Sequence, residues 1–230
     1  MDLTAINPAV LIASLMVAAV PIMLAAIGEL VVEKAGVLNL GVEGMMIMGA
    51  VCGLAIAVET ESPVVGFIAA AAGGAALSLI FAFLTQVLLA NQVATGLALT
   101  LFGLGLSSLI GQGYVGIKPP PTPRLEFGPL TDIPALGTIL FHHDPMVYLS
   151  ILIIAAVWAL LKFTRTGLIL RAVGENHDAA HALGYKVQRI RLLAILFGGA
   201  MAGLGGGRVG GRRAQRADHP RICRNPLGTG

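Results

Sequence analysis

PAVLIASLMVAAVPIMLAAI, residues 8–27, decides the fold, because it is a run of twenty residues without a charge. At about 1.5 Å of rise per residue, a helix of that length crosses the roughly 30 Å hydrocarbon core of a bilayer. Asp2 precedes the run and no basic n-region does, so it reads as a retained span and not as a secretory signal. Moving outward, further apolar runs extend over Met45–Val58, Val64–Leu89, Val93–Ile110, Met146–Leu161 and Leu192–Leu204. The expectation is an all-α, polytopic membrane helical bundle of about six transmembrane helices with no separate soluble domain.

Composition agrees. Of 230 residues, 56% are apolar and 12% charged, against about 25% charged in soluble chains, and the mean hydropathy is +0.85. Disorder, coiled coil and a water-facing enzyme domain are excluded, since too few polar groups are present to cover such a core. Thirty glycines without a Gly-X-Y period fit closely packed membrane helices. Cys52 and Cys223 are too few and too far apart for a disulfide framework or a CxxC metal site.

Orientation follows from Lys162, Arg165, Arg171, Lys186, Arg189 and Arg191, which face only Glu175 and Asp178 in the segment 162–191. Positive inside makes that segment cytoplasmic. Alternation then puts Gly111–Asp144 outside, Ala90–Gln92 inside, Glu59–Pro63 outside, Gly28–Gly44 inside and the N-terminus outside. Gly28–Gly44 mixes Glu29, Glu33, Lys34, Asn39 and Glu43 with apolar residues. It is a poor span and a poor loop, and is expected at membrane depth only where protein or a water-filled cavity surrounds it. From Arg208 to Gly230, six Arg and no Lys occur in 23 residues and apolar periodicity is lost, so a transmembrane domain over 1–206 is expected to give way to an Arg/Gly-rich tail over 207–230.

The polar residues near the spans admit two uses. Asn39 and Glu43, four apart, are either an interfacial cap and a surface charge or polar groups beside a translocation path. Asn91 and Gln92 lie where an N-cap belongs, with pore lining as the alternative. The pairs Gly49 and Gly53, and Gly199 and Gly203, have the spacing that lets helices approach closely. His142, His143 and Asp144 are adjacent and cannot converge on a metal from a regular element. No phosphate loop, HExxH or GxSxG is present, so no catalytic residue, metal site or cofactor is expected.

Within RTGLILRAVGENHDAAHALGYKVQRIR, residues 165–191, Asn176 is a good N-cap, Asp178 puts an acid in the first turn, and Gly184 suits the residue after the end. A helix of about two turns is expected. Such a helix is marginal alone, so it needs a surface, and Ala179, Ala180 and Leu183 offer an apolar face. A solvated positive-inside loop is the alternative.

GELVVEKAGVLNLGVEGMMIMGA (28–50), NQVATGLAL (91–99) and RAVGENHDAAHALGY (171–185) together resemble the permease subunits of bacterial ABC importers. The nearest branch is that of nucleoside and simple-sugar uptake, related to ribose and branched-chain amino acid permeases. The resemblance covers Met1 to about Gly206. Asp178-Ala179-Ala180-x3-Gly184 has the spacing of the ABC-importer coupling motif, with Asp where Glu is usual. The resemblance implies that Gly174, Glu175, Asn176, Asp178, Ala179, Ala180 and Gly184 couple the chain to a partner ATPase, which binds ATP. It also implies a second permease subunit, an extracytoplasmic substrate-binding lipoprotein, a plasma membrane location in contact with lipid, and no nucleic-acid partner. Asn39, Glu43, Asn91 and Gln92 match motif positions and are the expected substrate path. Family permeases continue with more spans, so the Arg-rich end is expected to mark a shifted frame or truncation, with a lipid-binding polybasic tail as the alternative. A sugar or branched-chain amino acid importer and an ion-coupled carrier using Glu29, Glu33 or Glu43 are the rival functions.

Overall fold

The computed structural model describes residues 8–117 and 145–216. Among them every regular element is a helix: α1 (Pro8–Lys34), α2 (Val42–Thr60), α3 (Pro63–Ala82), α4 (Gln92–Gly111), α5 (Pro145–Phe163), α6 (Arg165–Glu175), α7 (His177–Ala182) and α8 (Val187–Arg216). Six of them, α1 to α5 and α8, are long and apolar enough to cross a membrane. The number of spans is the one expected from the sequence.

The ends differ. α1 runs past Ile27 to Lys34, so Gly28–Gly44 is not one irregular stretch; it divides into the last turns of α1, a short loop over 35–41 and the start of α2. α8 begins at Val187, before Leu192, and passes through Gly206 to Arg216 without a break. In both cases helical hydrogen bonding continues into residues whose charges end the apolar run, because the backbone groups need partners wherever the side chains lie. Residues 217–230, with Cys223, lie outside the described residues, as does the 118–144 connection with His142, His143 and Asp144.

α8 is the centre of the bundle and packs on α1, α2 and α3. Small residues set these approaches. A Cβ at Gly49 would lie 2.6 Å from the Gly203 carbonyl oxygen, one at Gly199 2.7 Å from the Gly74 carbonyl oxygen, and one at Gly205 2.7 Å from that of Pro21. Glycine inside a helix costs about 1 kcal/mol relative to alanine, but in lipid the attraction between helices comes from close van der Waals packing. Phe81, Leu77, Met45, Val32 and Ile195, all nearly inaccessible, fill the space between α1, α2, α3 and α8.

At the end of the bundle that carries α6 and α7, the indole of Trp158 lies 5.1 Å from the Lys162 ammonium and edge-on to Phe163. An aromatic and a lysine so placed mark the boundary between hydrocarbon and headgroups. At the opposite end Tyr114 donates a hydrogen bond to Glu59. α3 finishes in a π-helical turn over Phe83–Val87, after which the chain reverses through Leu89 at φ +54°.

Candidate coupling site

α6 was not foreseen as a helix. Thr164 caps it by accepting from the Gly167 amide, and Gly167, Leu170 and Val173 form its buried face. Gly174 then presses on the end of α1: a Cβ there would come within 3.0 Å of the Lys34 carbonyl carbon and 3.1 Å of the Gly36 amide. Gly36 is at φ +77°, where a side chain is strained.

Asn176 ends α6 and begins α7. Its amide donates to the Ala172 carbonyl over 3.0 Å, while its side-chain oxygen accepts from the Ala179 amide over 3.0 Å. Gly184, at φ +85°, closes the other end: its amide donates to His181 and the Tyr185 amide donates to Ala180. That pair of bonds is a Schellman ending. α7 is therefore capped at both ends as its sequence foretold, over His177–Ala182.

One part of the expected face is differently placed. Ala180 points inward, 3% exposed, packed with Val173 and Val187, and is an anchor, not part of the outer surface with Ala179 and Leu183. The spacing explains this: three positions apart in a continuing helix, Ala180 and Leu183 would share a face, but the last helical residue is Ala182 and Leu183 belongs to the Schellman turn. Leu183 is 76% exposed, and Asp178, Ala179 and Glu175 are exposed beside it. His177 and Asp178 approach to 3.2 Å, a pair too exposed to contribute measurably.

The 35–41 loop joins this region to α4. The Arg191 guanidinium donates through Nε to the Ala35 carbonyl over 3.1 Å. The Gln92 side-chain oxygen accepts from the Leu38 amide at 2.8 Å, and the Asn39 amide donates to the Glu29 carboxylate at 3.1 Å. Asn39 is 2% exposed, and its side-chain oxygen accepts from the Gly41 amide. A Cβ at Gly96 on α4 would lie 2.9 Å from the Leu40 amide nitrogen. Asn91 caps α4 by accepting from the Val93 and Ala94 amides, and Glu43 is exposed in the first turn of α2. The structure thus brings Asn39 and Gln92 together at one loop, with Asn91 beside Gln92 in sequence as the cap of α4, and Gly174 touches that loop from the other side. Arg191 and Glu29 belong to the same assembly. In the sequence Arg191 shows only as a positive charge and Glu29 only as a charge beside the first span, because no local pattern shows a hydrogen bond between residues 156 positions apart, as Arg191 and Ala35 are.

The sequence has counterparts among known proteins. Residues 11–214 match the family described as branched-chain amino acid transport system / permease component. The chain belongs to that family. It is 39% identical over 193 residues to TsgC13 of Haloferax volcanii, named as a glucose ABC transporter permease protein, covering 82% of this chain and 59% of that one. It is 34% identical to the guanosine ABC transporter permease protein NupQ of Bacillus subtilis, covering 90% of this chain and 68% of NupQ. With the nucleoside ABC transporter permease protein NupC of Lactococcus lactis it shares 29% identity over 86% of this chain and 66% of that one. The chain thus spans about three fifths to two thirds of the length of these relatives. No solved structure matches it. Six apolar helices and this family membership make it a multi-pass plasma membrane protein. The family match runs beyond Gly206, to residue 214.

Proposed function

We propose that this chain is a membrane permease subunit of an ABC importer and that α7 is the element a partner ATPase grips. The observation that carries the reading is the exposed Leu183, with Asp178 and Ala179, on a two-turn helix fixed at both ends and held from behind by Ala180. An apolar side chain left in water on a rigid projection suits a partner's groove. The ATP would be bound and hydrolysed by that partner, and this chain would carry out no catalysis. Positive charge at this end makes it the cytoplasmic side.

In this reading, movement of α7 passes to α6 through the shared Asn176, and from Gly174 to the end of α1 and the 35–41 loop. Gln92 and the close approach of Gly96 then carry it to α4. Asn39, Asn91 and Gln92 act there as joints, and substrate contacts by them and by Glu43 remain part of the proposal. A second permease subunit would complete the path, and an extracytoplasmic binding lipoprotein would deliver the solute. Nucleosides are the favoured cargo, supported by the likeness to NupQ and NupC; a hexose is the second reading, supported by the likeness to TsgC13.

The test is a Glu175→Cys chain crosslinked to its co-expressed ATPase, with and without Ala179→Arg, and with solute uptake measured alongside. Ala179→Arg is expected to abolish both the crosslinkable complex and ATP-driven uptake while the chain still folds. Uptake that survives Ala179→Arg, or that runs on a pH gradient without ATP, overturns the proposal.

A further inference from the structure

A groove of about 770 Å³ opens between the end of α3 and the start of α8. Phe83, Val87 and Leu192 line it as apolar walls, and Gln86, Gln188 and Arg189 stand at its rim. Phe83 and Val87 are more than half exposed. The three polar residues fall in the last turn of the span ending at Val87 and the first turn of the span beginning at Val187. Their side chains make no hydrogen bond or ion pair with the described residues.

From this we infer that the groove is a binding site for an anionic phospholipid. The phosphate would sit against the Arg189 guanidinium and the two amides, and an acyl chain would lie along Phe83, Val87 and Leu192. Three features select this occupant. The rim carries a cation and two side-chain amides, and the N–H groups of all three can donate to the oxygens of a phosphodiester. The rest of the wall is apolar, so a soluble anion would leave it wet, whereas a lipid covers both parts. The rim is also at the end of the bundle where Lys162 and Trp158 mark the headgroup boundary, and Lys186 directly precedes α8 there. Basic pockets between membrane helices at that depth bind anionic headgroups. The inference does not depend on the ATPase partner.

The test is native mass spectrometry of the purified full chain released from detergent, titrated with dioleoylphosphatidylglycerol or dioleoylphosphatidylcholine. One phosphatidylglycerol adduct per chain, preferred over phosphatidylcholine, is expected. Arg189→Ala should weaken it about fivefold, the contribution of one basic residue near an anionic surface, and Arg189→Lys should retain it. Lys162→Ala, at the same depth outside the groove, should leave it unchanged. Equal adducts of the two lipids, an Arg189→Ala chain that keeps the preference, or a Lys162→Ala chain that loses as much would each overturn the site. Displacement of the adduct by millimolar inorganic phosphate would overturn the lipid as occupant. So would disulfide-linked dimers of a Val87→Cys chain that form equally with and without phosphatidylglycerol, since a second copy would then fill the groove.

Discussion

Asn176 does two jobs with one side chain and one amide, ending α6 and starting α7. Losing an N-cap oxygen costs roughly 1 kcal/mol, and a helix of six residues has little else to hold its first turn. Asn176→Ala should therefore raise amide exchange across 177–182 severalfold while leaving the spans protected, and Asn176→Asp should restore the wild-type pattern. Hydrogen exchange read by mass spectrometry distinguishes these. Gly174 answers to a different constraint. Any side chain there meets the backbone at the end of α1, so Gly174→Val should force α6 off α1 and lower the midpoint of thermal unfolding in detergent. An unchanged midpoint would mean that the contact yields easily.

At the scale of the element, the 35–41 loop is held by groups from α1, α4, α6 and α8. Replacing Gln92 by leucine removes one neutral hydrogen bond, worth about 1 kcal/mol net. Exchange at the Leu38 amide should accelerate about fivefold and exchange within the α2 span should not change. α7 was legible in the sequence because capping is local: Asn176, Asp178 and Gly184 all lie within nine residues. α6 was not, because its buried face is only Gly167, Leu170 and Val173 in an eleven-residue helix, which is too short a stripe to stand out beside true spans. The loop's contacts were illegible for another reason. Gln92 and Leu38 are 54 positions apart, and nothing near either residue announces the other.

For the whole molecule, the six spans were legible because bilayer thickness fixes the length of an apolar run. Their ends were not, since Glu29, Glu33 and Arg189 interrupt hydropathy without interrupting helix. The central place of α8 was only half legible: the spacing of Gly199 and Gly203 foretold close packing, but not that α2 and α3 would share that face. Gly203→Val puts a branched side chain where α8 meets α2 and α3, and overpacking of this kind costs about 1–3 kcal/mol or more. The variant should aggregate at a lower temperature than wild type in a detergent stability screen, whereas Gly105→Ala, where a Cβ would meet open space, should not.

Trp158 is the single tryptophan in the chain, and its ring is 55% exposed beside Lys162. Tryptophan emission from the folded protein therefore originates at one depth on one helix, so lipids brominated close to the glycerol should quench it more strongly than lipids brominated at the chain terminus. The molecule comes with its own optical ruler.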